Sequence, residues 1–196
     1  MLWNTVLALI PVVLTLLLLK RSEQRRGARP VLFWCSVALI MLFLPNAPYV
    51  ATDLVHFLET VRTTDISPWR ILATQFPLYV AFVLLGLVSY AFTADRILFG
   101  LRQRYGKTVY RTAFVVIPLL NAIGIYLGRV ARFNSWDILQ DPITIARSSR
   151  NVLLDARMMR VIFVMTILLL VVHEFYHILH DGIRVRMKRY RSIRST

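Results

Sequence analysis

The chain has 196 residues, the size of one folding unit. Hydrophobic residues make up 57% of it and stand in blocks, which excludes an ordinary soluble domain, whose apolar share is about half. The formal net charge of +14 is concentrated in short basic segments beside the apolar blocks, as in cytoplasmic loops of membrane proteins. No nucleic-acid partner is therefore expected.

Five apolar stretches follow one another, each near the roughly 20 residues that a helix needs to cross a bilayer. They predict an all-α polytopic membrane bundle of about five transmembrane helices in a single domain, 1–196, with the lipid bilayer as its main partner. The predicted helices are 3–19, 31–51, 71–92, 112–128 and 161–180. The predicted connections are two long outer loops, 52–70 and 129–160, and short cytoplasmic segments at 20–30, 93–111 and the basic tail 182–196.

The first stretch has no basic residue before it, and its charges, Lys20 to Arg29, come afterwards. This is the wrong order for a cleaved secretory signal. We interpret it as a retained helix whose N-terminus is outside.

The distribution of basic residues predicts the orientation of the whole chain. The three short segments hold sixteen lysines and arginines, whereas the two long loops hold eight and contain six of the ten acidic residues. The positive-inside rule therefore predicts an outer N-terminus and a cytoplasmic C-terminus.

The second stretch is interrupted by two prolines. Its uninterrupted part, Val31 to Leu44, is about 21 Å long, less than the roughly 30 Å of a hydrocarbon core. Pro45 and Pro48 each remove a backbone donor, so a broken helix is predicted there inside the membrane. The alternative is a helix that ends early in an ordinary interfacial turn.

The fourth stretch ends in Gly124 to Gly128, a GxxxG pattern that favours close helix packing. Polar residues follow at once, at the same face of the membrane as the proline segment. The two groups together predict an outer-face binding site, whose residues are Asn46, Tyr49, Asp53, His56, Arg129, Arg132, Asn134 and Asp137. The alternative is structural: charges at membrane depth usually pair, for example Asp53 with Arg129 or Asp137 with Arg132.

The second outer loop contains arginines near helical spacing between Ile143 and Arg160, with apolar residues between them. This pattern predicts an amphipathic helix lying in the outer interface. A solvated outer helix is the alternative.

The fifth stretch contains an H-E-x-x-H motif. His173 and His177 lie one helical turn apart, His180 shares their face, and Glu174 would act as base in a zinc protease resembling the site-2 class. The motif is short, and a further ligand on another helix, such as Asp95, has no support in the sequence. No metal is therefore favoured and no cofactor is predicted; zinc belongs only to this alternative.

Two strings resemble the signatures of a known family: FLPNAPYVATDL, at 43–54, and GRVARFNSWD, at 128–137. They are similar to an uncharacterised bacterial membrane family, domain of unknown function 1361, over most of the chain. The resemblance implies a bacterial inner-membrane protein. It supplies no activity, substrate or cofactor.

Three classes of function remain open from the sequence. The first is an outer-face site that binds, transports or processes a polar or anionic ligand: Arg129 and Arg132 would recognise the anion, Asp53 and His56 would handle protons, and polar neighbours would orient it. The second is a non-enzymatic membrane subunit with a protein partner. The third is the zinc protease.

Overall fold

The computed structural model describes residues 2–19, 30–53, 68–129 and 140–194. Within these ranges the chain is almost entirely helical and contains no β-strand. The predicted all-α class is confirmed.

The helices follow in this order. They are α1 (Leu2–Leu14), continued by a π-helical turn (Thr15–Leu19); α2 (Pro30–Phe43); the short α3 (Asn46–Tyr49), continued by a 3-10 turn (Val50–Asp53); α4 (Pro68–Thr74); α5 (Phe76–Arg129); α6 (Pro142–Leu154); and α7 (Ala156–Arg194).

Three helices in the described part of the chain are long and apolar enough to cross a membrane, namely Pro30–Tyr49, Phe76–Arg129 and Ala156–Met187. Trp3–Leu19 is a shorter apolar helix. Many large apolar side chains on these helices point away from the bundle, as lipid-facing residues do; examples are Leu84, Val88 and Phe163. The chain is an integral membrane protein.

Helix α5 is divided at Gly106, whose φ of 84° is non-helical. Gly86 packs against Ala47, and Gly124 packs against Pro45. Ala47 and Pro45 are only two residues apart in the sequence. A straight helix would separate the two glycines by about 57 Å, so the chain must turn back at Gly106. We call the antiparallel halves α5a (76–105) and α5b (107–129). Glycine takes this positive φ without the steric cost of a Cβ.

The turn at Gly106 is surrounded by aromatic side chains. The indole Nε1 of Trp34 donates a hydrogen bond to the Tyr105 hydroxyl at 2.8 Å, and the guanidinium of Arg104 lies 4.6 Å from the Phe33 ring centre. These contacts join α2 to the end of α5a. We call this end of the bundle the Gly106 end, and the opposite one the Arg129 end.

Packing pairs show that successive helices run in alternating directions. Ala8 of α1 clusters with Val50 and Phe82 at the Arg129 end, and the π-helical turn after α1 packs against α2. Ile162, near the start of α7, clusters with Ala122 of α5b. Because the ring of His173 contacts Phe114, α7 descends antiparallel to α5b toward the Gly106 end.

The second stretch is interrupted at Leu44 and Pro45, as predicted, but the interruption is short: α2 ends at Phe43 and helix resumes at Asn46. Pro45 has helical angles (φ −59°, ψ −24°), and a helical turn resumes at Asn46. Pro48 cannot donate to the Leu44 carbonyl, but the Ala47 N–H does so at 3.1 Å. A tighter bond thus replaces the missing one, and Pro30–Tyr49 remains long enough to span a membrane.

The helices also extend beyond the apolar stretches that predicted them. The segment 93–111, expected to be a cytoplasmic loop, is helical on both sides of Gly106. The last helix continues to Arg194 through most of the predicted tail. Hydropathy marks the part of a helix that faces lipid, whereas the backbone hydrogen bonds continue into water.

An amphipathic segment was predicted between Ile143 and Arg160, and α6 lies there. Asp141 accepts a hydrogen bond from the Thr144 backbone N–H at 3.0 Å, which caps α6. Asp155 separates α6 from α7 and accepts from the Arg157 backbone N–H at 2.7 Å. The membrane-facing side of α6 stays a prediction.

Candidate functional site

Two of the predicted site residues, Tyr49 and Arg129, meet at the Arg129 end of the bundle. Arg129 Nη1 donates a hydrogen bond to the Tyr49 hydroxyl at 3.2 Å, and the guanidinium carbon lies 5.5 Å from the centre of the Tyr49 ring. Both side chains are half-buried. The guanidinium of Arg129 therefore lies over an aromatic ring at this end of the bundle.

Close backbone packing fixes this pair. A methyl group on Gly86 would overlap the Ala47 carbonyl oxygen, and one on Gly124 would come within 2.5 Å of Pro45 Cγ. The two glycines bring α5a and α5b against the proline segment that carries Tyr49. Gly124 belongs to the predicted GxxxG pattern, and the structure gives it the packing role that was predicted.

The remaining residues of the predicted outer site are placed only in part. Asn46 opens α3 and is half-buried, and the 3-10 turn ends at Asp53. Asn46, Tyr49 and Arg129 all have partners beyond those described above. The side chain of Asp53 and the residues His56, Arg132, Asn134 and Asp137 lie outside the described structure, as do the alternative ion pairs that involve them.

A second polar group lies inside the bundle, nearer its Gly106 end. Asp95 of α5a meets His173 and His177 of α7, and one potential ligand atom from each residue lies within 4.8 Å of the other two. His177 Nε2 is 3.0 Å from Asp95 Oδ1. His173 contacts Phe114, which is about 22 Å of helix away from Arg129. The two groups are therefore separate sites.

The environment of His173 is unusual for a histidine. The residue is 2% exposed, and neither ring nitrogen has a hydrogen-bond partner in the described part of the chain. Its ring packs edge-on against Phe114, with the centres 5.5 Å apart, and against His177, with the centres 4.9 Å apart. Buried polar nitrogens normally have partners, so this position calls for an explanation.

Two of the four residues named from the H-E-x-x-H motif, His173 and His177, belong to this group, and the other two, Glu174 and His180, do not. His173 and His177 do face the bundle together, but the His180 ring stacks on Tyr176 instead of joining them. Glu174 is exposed and is not a member of the group. The expected three-histidine face is therefore wrong, and Asp95 takes the third position.

Asp95 has no support as a ligand in the sequence because no motif accompanies it, although a structural pattern surrounds it. The buried residues Tyr90, Ala94, Ile97 and Leu101 recur at helical spacing through this region. That periodicity predicts a helix running past Phe92. Asp95, next to Ala94, then belongs on or near its buried face.

A family model matches residues 3–172. The chain belongs to the family described as protein of unknown function, DUF1361. The match includes Tyr49, Asp95 and Arg129 and ends one residue before His173. Neither curated proteins nor solved structures yield a match.

Proposed function

We propose that this member of the DUF1361 family is a five-span protein of the bacterial inner membrane that binds a polar or anionic ligand at its outer face. The observation that carries the proposal is the Arg129–Tyr49 contact. The contact joins α3 to α5b, which are distant in the sequence. Tyr49 belongs to the string at 43–54 and Arg129 to the string at 128–137, and these two strings contain most of the other polar residues of the predicted site.

The alternation of α1, α2, α5a, α5b and α7 supports five crossings with the termini on opposite sides. Basic residues lie around Gly106 at the Gly106 end, and in the sequence the basic segment 20–30 connects Leu19 to α2; positive loops face the cytoplasm. Trp34 and Tyr105 at that end suit the aromatic belt of an interface. The Arg129 end is therefore assigned to the outer face.

The topology is tested by fusing alkaline phosphatase to the C-terminus in bacterial cells. The enzyme is active only after export, so the fusion is expected to be inactive, and a fusion just after Arg129 is expected to be active. An active C-terminal fusion would overturn the orientation and with it the outer-face location, but it would not by itself exclude ligand binding at the Arg129 end.

Arg129 is suited to recognise the ligand because its planar guanidinium offers five N–H donors in a fixed geometry. One of them is donated to the Tyr49 hydroxyl, and the guanidinium carbon lies 5.5 Å from the centre of the Tyr49 ring, so two contacts position the side chain. A carboxylate or phosphate bound there would form charge-assisted hydrogen bonds. Asn46, at the start of the same helical turn as Tyr49, is assigned a role in orienting the ligand.

The residues that follow in both signature strings complete the proposed site. Arg132 adds a second cation three residues after Arg129 in the sequence, and Asn134 and Asp137 supply further polar groups. Asp53 and His56, three residues apart, are assigned the handling of protons.

Binding is tested on detergent-purified full-length protein by thermal unfolding with inorganic phosphate and, separately, with phosphatidylglycerol. At least one probe is expected to raise the unfolding temperature of wild type and of Arg147→Gln, but not of Arg129→Gln. Arg147 lies exposed on α6, so its substitution matches the charge change. The two probes distinguish a free anion from a lipid headgroup.

Equal stabilisation of wild type and Arg129→Gln by both probes would contradict the proposal. So would the absence of any effect together with an unfolding temperature that falls equally in Asp53→Asn and Arg129→Gln. That second pattern would assign Arg129 to a structural ion pair.

A further inference from the structure

We propose that Asp95, His173 and His177 bind one divalent transition-metal ion, zinc by the chemistry of its donors, between α5a and α7. The inference is independent of the outer-face ligand site. It depends on the positions of three side chains, on their burial and on the types of atom they present.

The three residues have the spacing of a metal site. Ligand atoms about 2.1 Å from a tetrahedral ion are about 3.4 Å from each other. Here one atom from each residue lies within 4.8 Å of the others, and the pair formed by His177 Nε2 and Asp95 Oδ1 is separated by 3.0 Å. Small side-chain rotations would close the group around an ion.

The short distance between His177 and Asp95 does not come with hydrogen-bond geometry. Nε2 has no hydrogen-bond partner of suitable angle in the described residues, although a carboxylate oxygen is within reach. Ligands of one metal ion need not point at each other, so a short distance without a hydrogen bond is compatible with shared coordination.

His173 provides the second, independent observation. It is almost fully buried, both its ring nitrogens lack partners in the described structure, and the ring is fixed between Phe114 and His177. Burying a polar group without a hydrogen-bond partner destabilises the folded state. Coordination through one nitrogen would remove part of that cost, whereas an apolar residue would be the simpler filling for a purely structural position.

The donor set selects the class of ion. Two imidazoles and one carboxylate suit zinc and its neighbours among the divalent transition metals, whereas magnesium and calcium prefer oxygen donors alone. Three protein ligands leave a fourth position, which water can fill. The side chains of Asp95 and His177 are 18% and 32% exposed, so the group lies nearer to the surface of the bundle at these two residues than at His173.

The site differs from the one that H-E-x-x-H predicts. In that motif the glutamate acts as base beside the metal, but Glu174 is exposed here and stands outside the group. Asp95, on another helix, is the third ligand. The metal would therefore join α7 to α5a, and the proposal includes no peptide-cleaving step.

The test uses full-length protein purified in detergent without chelators, reconstituted with zinc and freed of excess metal. Mass spectrometry of the metal is expected to find one zinc per chain. Competition with a zinc-sensitive dye should show that Asp95→Asn and His177→Gln each weaken binding by about 100-fold or more, since even substitutions around ligands cost 10–100-fold.

Two variants on the same helix serve as matched controls. Glu174→Gln and His180→Gln change similar side chains outside the group and are expected to bind zinc as wild type does. Arg129→Gln should also leave zinc binding unchanged, which separates this proposal from the outer-face site. Cobalt(II) bound to wild type should give the visible spectrum of a four-coordinate ion, and Asp95→Asn should abolish it.

A wild-type protein that is monodisperse and helical but binds no zinc or cobalt overturns the proposal. A loss of binding in Glu174→Gln equal to that in Asp95→Asn would also overturn it. If Asp95→Asn does not fold, wild type alone decides: its unfolding temperature must fall when zinc is removed and recover when zinc, but not magnesium, is returned.

Discussion

The two polar regions of this bundle are built in opposite ways. At the Arg129 end, polar side chains contact one another, and Gly86 and Gly124 bring the helices into close backbone packing. Inside the bundle, His173 is buried with both ring nitrogens unpaired in the described structure. In the described residues the polar groups of the first region have partners, whereas His173 in the second has none.

The difference shows how each region affects stability. Tight packing at the Arg129 end stabilises the protein whether or not a ligand is present. The group of Asp95, His173 and His177 costs stability when it is empty, because polar atoms are buried without enough partners. Among the buried polar groups of the described chain, this one brings together three side chains that can bind a metal, which is a reason to assign it a function.

The largest expected effect comes from removing the inner group altogether. Asp95→Leu, His173→Phe and His177→Leu, combined, should make the protein about 1–4 kcal/mol more stable than zinc-free wild type, because apolar replacements of buried polar groups are often stabilising. Reversible unfolding in detergent measures this. A triple variant less stable than zinc-free wild type would mean that the three side chains stabilise one another without metal.

Gly86→Ala should have nearly as large an effect in the opposite direction. Its methyl group would overlap the Ala47 carbonyl oxygen, and overpacking of this kind costs about 1–3 kcal/mol. The same unfolding measurement applies, with zinc affinity measured in parallel.

Gly182→Ala is the control for that substitution. Gly182 has open space around the position of its Cβ, so alanine there should be neutral or stabilise α7 by up to about 1 kcal/mol. We expect the two regions to act independently. If Gly86→Ala abolished zinc binding while leaving the protein folded, that independence would be contradicted.

The Tyr49–Arg129 contact should contribute a smaller amount. Unfolding of Tyr49→Phe, Arg129→Gln and the double variant forms a cycle whose coupling energy we expect to be about 0.5–1 kcal/mol, since both groups are half-buried and water competes for them. A coupling above about 3 kcal/mol would instead indicate a structural lock at this end.

The smallest effect concerns Asp141, at the start of α6. Hydrogen bonds from the Thr144 side chain and backbone, aided by Arg147, hold the pKa of Asp141 below its ordinary value of 3.8. A lowered pKa in the folded state stabilises α6 above pH 3.8, and this is lost as the pH falls through the folded value. Amide exchange of α6 should show this loss in wild type, relative to Asp141→Asn. Identical pH profiles would contradict it.

The helices themselves could be predicted from the sequence because apolar length is a direct physical requirement of the bilayer. Their ends could not, since a helix keeps its hydrogen bonds after it leaves the lipid. Pro45 and Pro48 show a second limit. Proline removes a donor, but whether the chain breaks depends on a local substitute such as the Ala47 N–H, which composition does not reveal.

The two sites also differ in how much of each could be predicted from the sequence. The proximity of Tyr49 and Arg129 could be predicted from the sequence, because each lies at the end of an apolar stretch and both ends are predicted at the same membrane face. His173 and His177 were visible as a pair one turn apart. Asp95 required knowing how α5a rotates and packs against α7, which is a tertiary property and not a local one.

X-ray absorption at the zinc edge of the reconstituted protein tests the proposed metal site most directly. The result we predict is a shell of nitrogen and oxygen neighbours at about 2.0–2.1 Å, with the outer-shell scattering of two imidazoles, and of one imidazole in His177→Gln. A shell of oxygen alone, or an imidazole count unchanged by His177→Gln, would contradict the assignment of Asp95, His173 and His177 as the ligands.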